Sequence, residues 1–587
     1  MKQLIQTISK SKTTVIALGL TLVLIPAAFF VPFNAVIPAA ARLLNFPAVA
    51  SANDVGRASE EEEPDVAAVA IGERLFLETR FAQFFLENSK GDANAVLAKG
   101  DPTMDFTLTA SGTLFGPFMG EAMNCRACHL VDEHEATLNG SMRTYADFAR
   151  RSPIPARADG RVATPRNSQP LVNAFLNSRG KNFLLHFDGE FTTVEDLIRG
   201  TLTGRNFGWL PAERERAVAH IADIIRNDDG TAYLGQLFGG RYSVVLKGTD
   251  PNIPNAFRLP KEFLLDVATA SDKQIVDTVA KLMSVYLRQL MFARARRGDF
   301  SGSPYDMFLR KNRLPTAPAR GESDLAYSRR LAKMVEELKG PRYIDGTFKF
   351  HEQPFLFGPL ELQGLKIFLR EPMTVPPSRI ALGLGGVGNC IACHPAPKFT
   401  DFGFHNTGAA QDEYDFIHGS GAFNEITVPN FATRRNNYNG FLPPTPTHPN
   451  ATGMFFAIPS KTRVGYTDLG LWNVFANPDM PVPQERIRSI ICEQFKSADC
   501  SNNALLSFTI ASFKTPGLRD LGHSAPYMHN GRLDDLEAVI TQYTKFSGFA
   551  RAGTMRNADP QMKGVTLKSA DSAALVAFLK SLNEDYN

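Results

Sequence analysis

The sequence predicts a mainly α-helical chain built from two related units. Three observations predict it. A five-residue motif, Cys-x-x-Cys-His, occurs at 125–129 and again at 390–394. A longer frame of residues recurs after each copy. Elsewhere apolar residues fall at helical spacing, and alternating, strand-like runs are hard to find. The chain has 587 residues, of which 44% are hydrophobic and 21% charged. That length suits two to four domains at roughly 100–200 residues each, and the composition excludes wholesale disorder. The net charge is +3, and the first 52 residues carry Lys2, Lys10, Lys12 and Arg42 without an acid. The body is therefore close to neutral, which argues against a nucleic-acid partner, since that needs a basic face.

Residues 1–52 read as an address. Three lysines precede an apolar run from Thr14 to Phe30, and Ala50-Ser51-Ala52 follows. A basic start, an apolar middle and an A-x-A site make a secretory signal. Val15 to Phe33 is also long enough for a retained membrane anchor. Both readings export the body, and the expected location is the periplasm. An acidic linker (53–66) precedes the first expected domain, 67–330; the second is 331–587, with an insertion at about 415–505.

Cys125-Arg126-Ala127-Cys128-His129 and Cys390-Ile391-Ala392-Cys393-His394 are attachment signals for c-type haem. Each thiol can add to one vinyl group, and the adjacent His can reach the iron from one side. Zinc pairs lie closer together and do not need a trailing His. Cys492 and Cys500 flank a short polar loop in an exported chain and are expected to form a disulfide. The 44 Phe residues suit packing around porphyrin as well as an ordinary core.

The repeat supports one haem per unit. His186-Phe187-Asp188-Gly189 followed by Glu195 to Ile198 matches Met528-His529-Asn530-Gly531 followed by Glu537 to Ile540. This frame sets Phe187 against His529. The segments Ala67 to Leu77 and Leu360 to Arg370 match as helices before the two motifs. Gly189 and Gly531 read as turns.

On these residues the chain resembles the bacterial di-haem cytochrome c peroxidases and their relative MauG. The resemblance is carried by both haem motifs, by Arg166-Asn167, Asn173 and Phe187-Asp188-Gly189, and by Phe399-Thr400-Asp401 with Phe404 to Gly408. It is densest from Phe513 to Tyr543. It implies an open, catalytic haem in the N-terminal domain and an electron-transfer haem in the C-terminal one. It also implies a sixth ligand for the second haem at Tyr543, the MauG-like choice where the peroxidases have Met; His405 is the alternative ligand. An anionic tyrosinate favours ferric iron, whereas Met raises the potential. The equivalent first-half position is Thr201, a poor ligand, and Ala158-Asp159-Gly160 stands where the peroxidases carry a blocking His. His134 is expected at the surface. The first haem is thus expected to be open.

The resemblance further implies a calcium ion held by Asn167 and the carbonyls of Ser524 and Pro526, an oxygen-only set. The family's inter-haem Trp falls at Phe187; Trp209 and Trp472 are the chain's own alternatives for an electron relay. Its distal Gln falls at Leu197 and its distal Glu near Phe207. Peroxide cleavage needs a group that moves a proton; Glu190, Glu195 and Arg205 are the candidates, with Asp196 and His186 beside them. The activity so implied is peroxidase or oxidoreductase chemistry with H2O2. Electrons would come from a small cytochrome c, a cupredoxin or an oxidised protein substrate. A non-catalytic electron carrier and an O2-using oxygenase like the di-haem rubber oxygenases are the alternatives.

Overall fold

The structure, a computed structural model, describes residues 66–109, 112–115, 120–129, 151–176, 183–295, 298–348, 353–372, 385–475 and 477–584. The export segment and His134 lie outside them. No helix among the described residues is long and apolar enough to cross a membrane. From Glu61 onward the chain forms one compact unit.

Eleven helices of eight or more residues are described: α1 Val66–Leu77, α2 Val194–Leu202, α3 Arg214–Asn227, α4 Asp272–Gln289, α5 Pro304–Lys311, α6 Asp324–Glu336, α7 Pro359–Leu369, α8 Ala409–His418, α9 Pro481–Gln494, α10 Leu536–Ala552 and α11 Asp571–Lys580. Strands are limited to three two-stranded antiparallel ribbons among these residues, one of them pairing Phe404–His405 with Phe513–Lys514. The longest helix, α4, shows why the sequence reads as helical. Ser271 and Gln274 close a capping box at its start, and Ile275, Val276, Val279, Leu282, Met283, Tyr286 and Leu287 form one buried stripe. Such a cap stabilises a helix by about 1 kcal/mol.

Both halves contain the same helix crossing. α1 packs on α4 and α7 packs on α11. At each crossing a glycine allows the backbones to touch: a Cβ on Gly72 would collide with the carbonyl of Leu282, and one on Gly364 with that of Ala574. The first helix of each crossing also packs on the Cys-x-x-Cys-His turn of its half.

Tyr305, Phe308, Leu309, Tyr327, Leu331 and Val335 of α5 and α6 are buried with Leu365, Phe368, Phe399 and Phe578. α5 and α6, which precede residue 331, therefore pack with the second half. The physical reason is their apolar faces, which complete the cover of α7 and α11. The insertion makes a core of its own around Trp472, Phe455, Phe475 and Ile487, into which Leu184, Phe404 and Phe513 also pack.

Candidate functional site

Both Cys-x-x-Cys-His motifs fold as a single helical turn. His129 N–H donates to the Cys125 carbonyl at 2.9 Å, and His394 N–H to that of Cys390 at 2.7 Å. Asn124 caps the first turn through its side chain, accepting from Ala127 N–H at 3.0 Å. The four motif cysteines are free thiols. The imidazoles are oriented alike: Nδ1 of His129 meets the Gln169 carbonyl at 2.8 Å, and Nδ1 of His394 meets that of Phe399 at 2.9 Å. A carbonyl on Nδ1 keeps its proton there and leaves Nε2 as the metal-binding nitrogen. The Pro516 carbonyl also faces the His394 ring. Burial pushes His129 down to about 4, so its imidazole is neutral at ordinary pH. Two free thiols and a neutral, pre-oriented imidazole in each motif fit a covalent haem.

The two haem-side helices diverge at one equivalent position. α2 and α10 begin alike. The side chains of Thr193 and Asp535 cap them, and Val194 and Ile198 are buried as Leu536 and Ile540 are. Eight residues in, α2 carries Thr201 and α10 carries Tyr543. Tyr543 packs beside Phe546, Ala550 and Met562. Burial raises its phenol, and the Cys393 and Cys390 thiols add to that shift, so the hydroxyl lies within electrostatic reach of the second motif. His405 is not available as a ligand. Its Nδ1 meets Asp559 at 2.7 Å and its Nε2 meets Asp401 at 2.9 Å. Cys393 and the flanking carboxylates outweigh burial and push its pKa up, and both ring nitrogens are engaged.

Between the halves lies a buried ionic and aromatic cluster. Arg166 reaches Asp188 at 2.6 Å and Asp468 at 2.6 Å, and its guanidinium stacks over Phe456. His529 stacks on Phe513 at 3.6 Å and meets Phe187 edge-on at 6.4 Å. The repeat-equivalent residues Phe187 and His529 thus face each other, where the resemblance expects a Trp between the haems. Trp472 instead packs against Phe455 and under Arg434, and Trp209 against His220. Neither Trp makes a ring contact with Phe187.

The distal candidates are mostly engaged elsewhere. Glu195 pairs with Arg288 of α4 at 3.4 Å. Although burial opposes it, hydrogen bonding with Ser284 and the Arg288 charge lower its pKa, so it stays ionised as a helix-to-helix tie. Arg205 is held by Asp159 at 2.8 Å and donates to the Arg161 carbonyl at 2.9 Å. Both distal candidates are thus held by ion pairs within their own half. Asp159 therefore occupies the place of the blocking His as an anchor for Arg205. Glu190 keeps a half-buried carboxylate near His186 at 3.2 Å.

Asn167 and Pro526 do meet, but as a hydrogen bond: Asn167 Nδ2 donates to the Pro526 carbonyl at 2.7 Å, while its Oδ1 accepts from Ser168 N–H at 3.0 Å. An oxygen-only cation site would need the amide turned over. Cys492 and Cys500 form a disulfide, with Cα atoms 5.5 Å apart. It closes the end of α9, a helix the sequence reading did not connect to the site. Arg486 of α9 donates to the carbonyls of Phe183 and Thr192, both at 3.1 Å, and Gln494 holds Phe404 through both backbone groups. Nothing local in the sequence marks these targets.

No family model matches the chain. A cytochrome-c peroxidase IdrP2 of Pseudomonas sp. (strain SCT) is 41% identical over 76 residues, 13% of this chain and 18% of that protein. IdrP2 of Denitromonas iodatirespirans is 26% identical over 198 residues, 34% of this chain and 37% of its own. The methylamine utilization protein MauG of Methylorubrum extorquens is 40% identical over 75 residues, 13% of this chain and 20% of its own. Over these segments the chain is similar to cytochrome-c peroxidases and to MauG. The matches span between 18% and 37% of the lengths of these relatives. Among solved structures, the diheme peroxidase BthA of Burkholderia thailandensis aligns over 89% of this chain and 87% of its own, with 16% identity and a TM-score of 0.37.

Proposed function

We propose that the chain is an exported, periplasmic di-haem oxidoreductase that acts on H2O2 at its N-terminal haem and passes electrons through its C-terminal haem. The observation that carries this reading is the asymmetry between Thr201 and Tyr543 at the same point of two equivalent helices. Cys125, Cys128 and His129 would hold one haem, and Cys390, Cys393, His394 and Tyr543 the other. Haem supplies redox-active iron, which exchanges electrons with peroxide and with a donor. The chain's own part is positional. Gln169 and Phe399 orient the two imidazoles. Thr201 leaves one distal side without a strong ligand, while Tyr543 offers an oxygen on the other. Phe187, His529 and Phe513 fill the space between the halves with aromatic rings. Glu190, half-buried and not paired with an arginine, is the remaining carboxylate among the three distal candidates and can hold a proton with His186. A calcium ion at Asn167, Ser524 and Pro526 belongs to the same reading, as do a small cytochrome c, a cupredoxin or an oxidised protein as partner.

The engagement of Glu195 and Arg205 in ion pairs favours a second reading, electron transfer without peroxide cleavage. One experiment separates the two. Ferric protein is mixed with stoichiometric H2O2, and the Soret band is followed. A fast change that a reductant reverses supports the peroxidase reading. An unmoved band supports the carrier.

A further inference from the structure

The two halves build the same loop and fill it with different chemistry. Leu185 bridges to Phe191, and Tyr527 bridges to Leu533, in matching antiparallel pairs. His186 and Met528 take left-handed backbone at φ 64° and 70°, and Gly189 and Gly531 at 73° and 60°. Each loop then runs into a capped helix, α2 or α10. The second loop achieves this backbone with Met528, Asn530 and Arg532. Loop geometry therefore does not require His186, Asp188 or Glu190, which stand at the same three places in the first.

Those three side chains nevertheless converge. One ligand atom from each lies within 4.8 Å of the others. His186 Nδ1 is 3.2 Å from Glu190 Oε2. Asp188 is buried, and Arg166 holds its Oδ2 at 2.6 Å from one side. Its Oδ1 receives a long bond, 3.3 Å, from the Glu190 backbone N–H. The side chains of His186 and Glu190 are 34% and 33% exposed, so the cluster opens to solvent. Burial raises the Asp188 carboxyl despite Arg166, and the nearby Glu190 charge adds to that rise. The His186–Glu190 contact and the Arg166–Asp188 ion pair leave Asp188 Oδ1 with only the long bond from Glu190 N–H, beside a second carboxylate.

We propose that His186, Asp188 and Glu190 form a binding site for a divalent first-row transition metal. One imidazole nitrogen with two carboxylate oxygens is a set that suits zinc, manganese or iron better than calcium or magnesium, which prefer oxygen alone. Three protein ligands at a solvent-facing loop leave room for water on the metal. Arg166 fixes the Asp188 carboxylate from behind, as outer-shell partners do at metal sites. The site needs neither haem nor peroxide, but it uses the His186 and Glu190 side chains to which the functional reading gives a proton, so metal and proton are alternatives there.

The test is zinc binding to the holoprotein, by titration calorimetry in the presence of excess calcium. The double variant H186M/E190R transplants the residues of the second loop and keeps a backbone that those residues already support. The native protein is expected to bind one more zinc equivalent than this variant, and Glu190→Gln alone is expected to weaken that site at least tenfold. Equal stoichiometry and affinity in the native protein and the double variant would overturn the proposal. Should the double variant fail to fold, undiminished zinc uptake by both Glu190→Gln and His186→Asn would overturn it equally.

Discussion

The first and second halves of the chain share a crossing of helices, a haem-binding turn, a hairpin loop and a capped helix, and they differ where iron chemistry would be decided. α2 ends after nine residues and presents Thr201; α10 runs for seventeen and presents Tyr543. The loops before them differ likewise, acidic with a His in the first half and neutral-to-basic in the second. A shared backbone with divergent side chains shows which features the fold needs and which the chemistry needs. Glycine at the helix crossings and side-chain oxygens at the caps occur in both halves. Tyr543, His405, His186 and Glu190 each occur in one.

The largest effect is expected from Cys128→Ala or Cys393→Ala, each of which should remove one covalent haem linkage; mass spectrometry of the denatured protein reads it directly. Thr201→Tyr should make the first half resemble the second. Cyanide uptake by the ferric protein is then expected to fall sharply, and an unchanged cyanide titration would mean that the two positions are not equivalent. Gly72→Ala and Gly364→Ala attack the shared crossing. Each is expected to cost on the order of 3 kcal/mol in denaturant unfolding, because backbone atoms must move apart. Equal losses would confirm that the crossing serves both halves alike.

A smaller effect distinguishes the second half by pH. Burial pushes the Glu584 carboxyl up to about 8, against the opposing pull of Arg519, which also binds Asp306. One guanidinium meets two carboxyls, and one proton stays behind. A folded-state value raised above the unfolded one contributes stability that is present at low pH and is lost as pH rises through about 8. Glu584→Gln should flatten that loss, narrowing the difference in stability between about pH 6 and pH 9 by on the order of 1–2 kcal/mol. The smallest effect belongs to Glu195→Ala. Loss of its tie to Arg288 should cost about 1 kcal/mol or less and leave the rate of reaction with H2O2 unchanged.

Much of this arrangement was legible in the sequence because its signals are local. A haem-attachment turn spans five residues, and Thr193 and Asp535 announce their helices by type and place. The repeat paired Phe187 with His529, and the structure brings the two rings together edge-on. What was not legible depends on distant partners. Arg166 is met by Asp468 from within the insertion, and Glu195 is claimed by α4. The packing of α5 and α6 on the second half was hidden for the same reason: an amphipathic pattern does not say which core it completes. His405 looked like a spare ligand until Asp401 and Asp559 closed on both its nitrogens.

The central claim is that one haem site is open and the other is closed by Tyr543. The most direct measurement is the EPR spectrum of the ferric holoprotein during cyanide titration, compared with that of Tyr543→Phe. The native protein should show one high-spin centre that converts to low spin on binding one equivalent of cyanide, beside a low-spin centre that does not respond. Tyr543→Phe should change that second centre and leave the first intact. Two low-spin centres at rest with no cyanide uptake, or a second centre unaltered in Tyr543→Phe, would contradict the account.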